Sequence, residues 1–555
     1  MFSTMQDVPL TVTRILRHGQ RIHGGSQVIT WTGDPATPRR RTYAEIGARA
    51  AQLAHGLREL GVRPGQPAAT LMWNNAEHVE AYFAIPAMGS VLHTLNLRLP
   101  AHQLSFIIQH ADDRVIIANG SVLPLLAPLL PALDRVEHIV VSGPGDTSLL
   151  DGTRARVHDY EELIAGRPTT YPWPDLDERA AAALCYTSGT TGDPSGIVYS
   201  HRSIYLHSMQ VNSAESMALT AGDVSLAVVP QFHVLSWGLP HAALLSGFSL
   251  LMPDRFLQPG PLADMIATER PRHAAAVPTI FQALAHELAE RPRDISALAS
   301  VTIGGSACPE SLMRTLDERY GVRVAHAWGM TETSPLGTTS QPPPGLTPEE
   351  EWPYRLSQGR FPAGVEARLI GPDGAEMPWD GTAAGELEVR GPWIAGGYYG
   401  GAGATGPERP ADRFSPDGWL RTGDVGTISP DGYLTLTDRA KDVIKSGGEW
   451  ISSVELEGLL MGHPEVREAA VVAVPDERWG ERPLACVVPA TTGEVDYAAL
   501  RAFLGERLAR WQLPEHWTTI EEVPKTSVGK YDKKVLRARH AAGDLTVTTL
   551  APAPR

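Results

Sequence analysis

Residues 186–201 read YTSGTTGDPSGIVYSH, and this stretch decides how the rest of the chain is interpreted. Eight of its first eleven residues are Thr, Ser or Gly, and the apolar residues 180–185 precede it. A buried strand that runs into such a loop offers backbone N–H groups and hydroxyls to a phosphate chain, and glycines let the backbone approach closely. An ordinary flexible loop is the alternative, but the unbroken run Thr187–Gly192 favours a phosphate site. The loop lacks the lysine spacing of a P-loop.

Helical and strand patterns alternate outward from this loop through the first two-thirds of the chain. Thr42–Leu60 repeats apolar residues at helical spacing, and Ala68–Trp73 then has the pattern of a short buried strand. This rhythm predicts an α/β fold, with a large N-terminal domain of mainly parallel sheets and covering helices. From about Gly364, short strands separated by Gly, Pro and Asp predict an antiparallel, barrel-like subdomain.

A small α+β domain is predicted from about Arg439 onward. Ser452 is followed three residues later by Glu455, which is the pattern of a capping box at the start of a helix. Two segments rich in Gly, Pro and charged residues, 341–352 and 396–413, are predicted to be mobile loops.

The composition excludes several classes of protein. The chain has 555 residues and a formal net charge of −15, so it lacks the basic footprint of a protein that binds nucleic acid. Its three cysteines, Cys185, Cys308 and Cys486, show neither disulfide nor zinc spacing and suit a reducing cytosol. No signal peptide and no apolar stretch of about 20 residues is visible, which predicts a cytoplasmic protein without a membrane span.

Three further segments carry side chains suited to nucleotide chemistry. In AHAWGMTETSP, Glu332 could hold Mg²⁺ beside phosphates, because hard cations prefer oxygen ligands. Asp424 ends the motif GWLRTGD and could accept hydrogen bonds from ribose hydroxyls, and Arg439 could donate to the sugar or to a phosphate. In PKTSVGKYDKK, Lys530 lies on a predicted loop that could bring it to a developing negative charge. Each residue taken alone has an ordinary alternative on the solvated surface.

Together, the four segments resemble the adenylate-forming superfamily of acyl-CoA synthetases, luciferases and non-ribosomal adenylation domains. The likeness is greatest to medium- and long-chain fatty-acyl-CoA ligases and runs from about Pro9 to Arg537. The resemblance implies that ATP and a carboxylate give an acyl-adenylate and pyrophosphate, after which the thiol of CoA displaces AMP. It also implies ATP, Mg²⁺ and CoA as cofactors or co-substrates and a small-molecule acid as the partner, and related ligases are often homodimers.

The resemblance also implies the domain boundaries. They are a large adenylation domain at 1–437, a hinge at 438–441 and a small mobile C-terminal domain at 442–543. Residues 544–555 are expected to form a disordered tail.

Residue roles follow from the resemblance, motif by motif. The residues implied to bind the nucleotide are Thr187, Ser188, Gly189, Thr190, Thr191, Gly304, Gly305, Ser306, Trp328, Thr331, Asp424 and Arg439. The residues implied to take part in catalysis are Lys530, Thr331, Glu332 and His233, with Glu332 on the magnesium ion. The substrate pocket would include Gln231, His233 and the gating Trp237, the hinge Lys441, and the channel for the thiol acceptor Ser446, Gly447 and Gly448.

The chain departs from the family pattern at two positions. Ser195 stands where the phosphate loop usually has a lysine, and three explanations stay open: Arg202 or another cation substitutes, the backbone of the loop suffices, or ATP binds more weakly. Gln231 is a polar residue near a pocket for an alkyl chain, where an unpaired amide would be unfavourable. Gln231 could instead point into the sheet and bond to the backbone.

Three functions therefore remain in view. The first is an ATP-dependent ligase that joins a medium- or long-chain fatty acid to CoA. The second is a biosynthetic enzyme that activates a small acid, such as nitrite or an aryl acid, for attack by an amine, and Ser195 and Gln231 fit such a repurposed site. The third is a non-catalytic nucleotide-binding homologue, which the presence of Lys530 and Glu332 disfavours.

Overall fold

The computed structural model describes residues 3–187, 193–439, 442–446, 449–491, 495–526 and 530–551. The helices in this part of the chain are α1 (Val12–Ile22), α2 (Tyr43–Glu59), α3 (Ala76–Ala87), α4 (Ala101–Ala111), α5 (Leu123–Leu126), α6 (Tyr160–Ile164), α7 (His201–Val211), α8 (Leu239–Ser246), α9 (Pro259–Glu269), α10 (Pro278–Glu290), α11 (Glu310–Arg314), α12 (Pro348–Leu356), α13 (Ser453–Leu460), α14 (Tyr497–Gly505) and α15 (Lys533–Ala541).

The strands are β1 (Gln27–Thr30), β2 (Arg39–Thr42), β3 (Pro67–Leu71), β4 (Val91–Thr94), β5 (Val115–Asn119), β6 (His138–Ser142), β7 (Arg156–Asp159), β8 (Ala181–Tyr186), β9 (Gly196–Ser200), β10 (Val224–Ala227), β11 (Ser249–Met252), β12 (His273–Ala276), β13 (Ser300–Gly304), β14 (Arg323–Gly329), β15 (Leu336–Thr339), β16 (Gly359–Arg360), β17 (Glu366–Ile370), β18 (Glu376–Met377), β19 (Gly385–Arg390), β20 (Leu420–Ile428), β21 (Tyr433–Arg439), β22 (Ile444–Ser446), β23 (Glu449–Ile451), β24 (Val466–Asp476), β25 (Gly480–Pro489), β26 (His516–Thr519) and β27 (Thr548–Thr549).

Two sheets build the large domain. One has the order β7-β6-β5-β3-β4-β8-β9 and is parallel except for the β8–β9 hairpin, which carries the phosphate loop between its strands. The other contains the parallel run β1-β11-β10-β12-β13-β14. The predicted α/β class with mainly parallel sheets is therefore confirmed.

The second sheet continues past β14 as antiparallel strands. Beyond it lie β15, β16, β21, β20, β19, β17 and β18. Strands β17 to β21 fall in the part of the chain, from about Gly364, that the sequence assigns to the barrel-like subdomain, whereas β15 and β16 precede it. Strand β21 ends at Arg439, inside the predicted hinge.

Helix α3 lies in the core between the two sheets. All its residues are buried, and its apolar side chains share one cluster with residues of β3 and β5 in one sheet and of β10 and β11 in the other. Because both sheets pack on this helix, the ends of their parallel strands are held in fixed positions.

The small domain has its own sheet, β23-β22-β25-β26-β27, with β24 paired to β25. Ser452 caps α13 by accepting from the backbone N–H of Glu455 at 3.1 Å, which is one half of the predicted capping box; among the described residues the Glu455 side chain makes no return bond to the backbone N–H of Ser452. Residues 544–551 do not form the predicted tail, because Thr548 and Thr549 pair with β26 and Leu545 packs in the domain core. Residues 552–555 lie outside the described part.

The predicted loop 341–352 is also corrected in part. Helix α12 begins at Pro348, and Thr347 and Glu350 form a capping box at its start. None of the helices in the described residues combines the length and the apolar character that a membrane crossing needs.

Candidate active site

A large cavity of about 1430 Å³ lies at the carboxyl ends of the parallel strands. Thr187 after β8, Pro230 after β10, Val277 after β12 and Gly305 after β13 line it, and the small domain borders it through Lys530. Ligands of open α/β sheets bind at this edge. The volume exceeds the ~300–1,000 Å³ of a typical pocket for one ligand, so two substrates can be held together.

The phosphate loop is closed at its base by two hydrogen bonds between Thr187 and Ser195. The backbone N–H of Thr187 donates to the carbonyl of Ser195 at 2.9 Å, and the N–H of Ser195 donates to Thr187 Oγ1 at 3.1 Å. The candidate residues Ser188, Gly189, Thr190 and Thr191 lie outside the described residues.

Arg202 does not replace the missing lysine of this loop. In the β8–β9 hairpin, Tyr186 pairs with Gly196 at the loop end and Ala181 pairs with Ser200 at the other end. Arg202 follows that far end, where its backbone N–H donates to the carbonyl of Glu178 and its guanidinium lies 3.7 Å from the Glu178 carboxylate. A strand of this length separates its position from Ser195 by more than 10 Å of rise, at about 3.3 Å per residue.

Thr331 and Glu332 face the cavity after β14, as predicted. The hydroxyl of Tyr199, on β9, donates to the carbonyl of Thr331 at 2.7 Å and ties this turn to the phosphate hairpin. Glu332 is buried, and its Oε1 accepts from Tyr398 Oη at 2.8 Å and from Arg413 Nη2 at 2.9 Å. The sequence analysis missed Tyr398 and Arg413, since no local pattern marks them.

The predicted ribose and adenine residues are brought together. Asp424 is buried, and its carboxylate accepts from Trp328 Nε1 at 2.7 Å and lies 3.3 Å from Arg439 Nε. Gly304 ends β13, where it pairs with Ala327, the residue before Trp328 on β14, and Gly305 and Ser306 follow it in the wall of the cavity. This arrangement leaves lone pairs on Asp424 for two sugar hydroxyls.

Lys530 reaches the cavity from the small domain. A Cβ built on Gly305 would lie 3.4 Å from Lys530 Cε, so the lysine packs directly against the end of β13. Burial, and then the charge of Arg439, lower the pKa of Lys530 to about 8, although Asp424 and Glu332 act in the opposite direction. The structure therefore places a partly desolvated cation beside the nucleotide residues.

His233 stands where this cation meets the inner part of the cavity. Burial, followed by the charges of Lys530 and Arg98, lowers the pKa of His233 to about 3. The imidazole is therefore neutral at physiological pH, and it can donate or accept a hydrogen bond but cannot neutralise a carboxylate.

Trp237 is held by a left-handed turn. The φ angles of residues 234, 235, 236 and 237 are 43°, 50°, 52° and 53°. Left-handed backbone costs about 1–2 kcal/mol for each residue other than glycine, so the surrounding contacts must impose it. Ser236 Oγ donates to the carbonyl of Val229 at 2.8 Å, and a Cβ on Gly304 would lie 3.3 Å from the Trp237 indole.

We refer to the part of the cavity lined by Trp237 and the end of α7 as the inner branch. A Cβ on Gly238 would lie 2.7 Å from the His207 ring and 3.8 Å from Val211 Cγ1, which places the end of α7 beneath the left-handed turn. The apolar side chains that line this region are Val211, Met217, Val228, Leu239 and Leu336.

Two hydroxyl groups also line the large cavity. Ser216 Oγ and Thr339 Oγ1 lie 3.5 Å apart, and both also border a second cavity of only about 10 Å³. Arg360 and Glu215, which line that second cavity as well, form an ion pair at 2.7 Å. The lining of the large cavity therefore combines apolar side chains with two hydroxyl groups.

Gln231 does not line the substrate pocket, and this prediction is wrong. It is fully buried, its Oε1 accepts from the backbone N–H of Asn75 at 3.0 Å, and its own N–H donates to Asn74 Oδ1 at 2.7 Å. The alternative that Gln231 bonds to the backbone is the one the structure bears out.

Ser446, the one described residue of the predicted acceptor channel, does not line the cavity in this arrangement of the domains. Ser446 is buried in the small domain, where its hydroxyl accepts from Arg482 Nη1 at 3.0 Å. Gly447 and Gly448, and the predicted hinge residue Lys441, lie outside the described residues.

The family models match both domains. Residues 19–399 match the model described as AMP-binding enzyme, and residues 455–530 match that of the AMP-binding enzyme C-terminal domain. A 3-methylmercaptopropionyl-CoA ligase from Ruegeria lacuscaerulensis is 40% identical over 540 residues, covering 97% of this chain and 98% of that protein. A long-chain-fatty-acid–CoA ligase from Thermus thermophilus is 41% identical over 543 residues, covering 97% of each chain.

A solved structure has the same fold. The crystal structure of the anthranilate CoA ligase AuaEII in complex with anthranoyl-AMP superposes with a TM-score of 0.83 at 25% identity, over 97% of this chain and 100% of that one. The chain therefore belongs to the family of AMP-binding enzymes and is an adenylate-forming ligase of the acyl-CoA synthetase type.

Proposed function

We propose that the protein activates a medium- or long-chain fatty acid with MgATP and transfers the acyl group to CoA. The observation that carries this proposal is the apolar inner branch, which begins at Trp237 and His233, beside Lys530, and continues along Val211 and Leu336. An alkyl chain gains about 0.8 kcal/mol for each methylene buried in such a branch. Its carboxylate would then lie at the boundary with the nucleotide residues.

The first step is adenylation. An oxygen of the carboxylate attacks the α-phosphorus of ATP, the bond to the bridging oxygen breaks, and pyrophosphate leaves. Thr331 contacts the α-phosphate in this proposal, and the Lys530 ammonium stabilises the charge that develops there. His233 borders the attacking carboxylate as a neutral group, which leaves Lys530 as the cation beside the reacting atoms.

The residues present fit a magnesium ion that is bound mainly by the phosphates of ATP. Glu332 offers one buried carboxylate at the cavity, and no group of three or more His, Cys, Asp or Glu side chains that could hold a metal occurs in the described part of the chain. Magnesium commonly binds one or two carboxylates together with substrate phosphates and water. When bound, it offsets charge on the departing pyrophosphate.

The second step is thioester formation. The CoA thiolate attacks the acyl carbonyl, and AMP leaves with the electron pair of the acyl–oxygen bond. Lys530 lines the cavity and Ser446 does not, which supports an arrangement of the domains suited to the first step. In our proposal the small domain rotates about the segment near Lys441 to exchange Lys530 for the face that carries Ser446.

The small-acid alternative loses one of its two supports. Gln231 is outside the cavity, so of the two departures from the family pattern only Ser195 still supports this alternative. The non-catalytic alternative is disfavoured because Lys530, Thr331 and Glu332 all face the same cavity. The two relatives named above act on a short thioether acid and on long-chain acids, so likeness alone does not fix the chain length.

The test is AMP release with product mass spectrometry across a panel of acids. The panel holds fatty acids of graded length, 3-methylmercaptopropionate, aryl acids and nitrite, each with CoA or with an aryl amine. We expect CoA-dependent AMP release and an acyl-CoA mass with medium or long fatty acids. Turnover confined to a small acid with an amine acceptor would contradict the proposal.

A further inference from the structure

The phosphate loop carries no positive charge of its own. Residues 187–196 read TSGTTGDPSG, which contain one aspartate and neither lysine nor arginine. ATP brings several negative charges, and backbone N–H groups stabilise phosphate without neutralising it. A protein cation that acts on the outer phosphates together with magnesium would therefore have to come from another part of the cavity.

Three of the other cations that line the described cavity lie on other sides of it. Arg439 pairs with Asp424 on the ribose side, Lys530 packs on Gly305, and Arg98 lies on the side of His233. Arg413 alone among the cavity residues forms an ion pair with Glu332, the carboxylate that we assign to magnesium, at 2.9 Å within the described chain.

The segment that carries Arg413 is joined to the strand that leaves the phosphate loop. The backbone N–H of Tyr399 donates to the carbonyl of Gly196 at 2.8 Å, and Gly196 follows Ser195 directly. The neighbouring Tyr398 accepts from Arg413 Nε at 2.9 Å through its hydroxyl. Arg413 is thus tied both to the base of the loop and to Glu332.

The guanidinium of Arg413 has donors to spare. Nε and Nη2 are used by Tyr398 and Glu332, whereas Nη1 forms no hydrogen bond with any described residue. A planar guanidinium can bind two phosphate oxygens in one plane, which an ammonium cannot do. A magnesium ion bound to Glu332 would share the carboxylate that pairs with Arg413. The charge of the guanidinium would then be less fully neutralised, which favours a phosphate oxygen as an additional partner of Arg413.

We propose that Arg413 is an ATP-binding residue that supplies, at the β- and γ-phosphates, the positive charge absent from the loop at Ser195. The proposal rests on the use of ATP by the proposed function but not on which acid is activated. In this proposal Arg413 supplies the charge that the loop itself lacks, although it lies more than 200 residues further along the chain.

The test is the affinity for MgATP and for AMP, measured by isothermal titration calorimetry without any acid, so that no turnover occurs. Arg413→Gln should raise the dissociation constant of MgATP at least about tenfold, as expected for a lost charge-assisted hydrogen bond, and change that of AMP less than about twofold. Arg413→Lys should fall in between. The matched control is Arg409→Gln, an exposed arginine of the same segment that donates to the carbonyl of Gly396.

A double variant separates charge from positioning. Ser195→Lys added to Arg413→Gln should restore at least half of the lost free energy of MgATP binding, because it returns a cation to the loop. Failure of this rescue would mean that Arg413 only orients Glu332, and the proposal would be wrong. Equal losses for AMP and MgATP, or an effect no larger than that of Arg409→Gln, would also overturn it; melting temperatures of all variants verify that each is folded.

Discussion

Lys530 combines two properties that suit a group proposed to stabilise a transition state: it lines the cavity beside the predicted nucleotide residues, and it is poorly solvated. Burial and Arg439 bring its pKa from 10.5 to about 8, so the side chain is charged below that pH and neutral above it. Since the protonated form is the one that stabilises the developing negative charge, kcat/KM for ATP in the adenylation step should decline as the pH rises through about 8.

The arginine variant tests this origin of the pH dependence. Lys530→Arg keeps a charge that does not titrate below pH ~12. We expect a lower rate, because the geometry differs, together with loss of the decline near pH 8, measured as pyrophosphate release against pH. A decline that persists unchanged in Lys530→Arg would assign it to another group.

Single residues show where sequence reasoning reaches its limit. Asp424, Glu332 and Lys530 each belong to a short motif, and all three face the same cavity, as that reasoning predicts. Gln231 was misplaced because a residue next to a pocket can point either way, and only the position of Asn75 from another element decides it. Arg413 was missed because its partner Glu332 is 81 residues distant, so no local pattern indicates the pair.

At the scale of elements, helix α7 sets one wall of the inner branch. Val211 ends the helix beneath the left-handed turn and lines the cavity. Val211→Phe should narrow the branch and lower kcat/KM for the longest accepted acid at least about tenfold, while shorter acids are affected less. The measurement is kcat/KM across fatty acids of graded length.

The control for this change is Val198→Phe, at an exposed position of β9 whose side chain does not line the cavity. It should leave the ranking of acids unchanged. An unchanged ranking in Val211→Phe as well would mean that the acyl chain lies elsewhere.

A helix can be predicted from sequence when a capping box stands directly before apolar residues at helical spacing. Thr42 and Glu45 cap α2 as a capping box, and the predicted Thr42–Leu60 agrees with the observed Tyr43–Glu59. Helix α12 carries the same signal, Thr347 with Glu350 and a proline at the first position, but its short length and the prolines before it hid it among loop residues.

At the scale of the whole molecule, the two domains meet across the active site. Besides Lys530, Gln282 on α10 donates to the carbonyl of Arg467 in the small domain at 3.3 Å. If the domains rotate between the two half-reactions, fixing this contact should preserve adenylation and block thioester formation.

A covalent link between the domains tests the rotation. Gln282→Cys and Arg467→Cys, joined by a short bismaleimide, should leave acyl-adenylate formation within about threefold of the unlinked protein and lower thioester formation at least about a hundredfold, within the range of typical catalytic contributions. The native Cys185, Cys308 and Cys486 are buried, so we expect them to react little with the bismaleimide. The two single variants, treated in the same way, are the controls. Equal rates of both steps in the linked protein would contradict the rotation.

The most direct measurement is the exchange of pyrophosphate into ATP by Lys530→Ala in the presence of a fatty acid, with Lys525→Ala as the matched control. Lys525 lies in the same segment but pairs with Glu468 at 2.7 Å, away from the cavity. We expect Lys530→Ala to lower the exchange about 100- to 1,000-fold while it still converts supplied acyl-adenylate to acyl-CoA, and Lys525→Ala to behave as wild type. Undiminished exchange, or an equal loss in both half-reactions, would contradict the claim that this structure is the adenylating state.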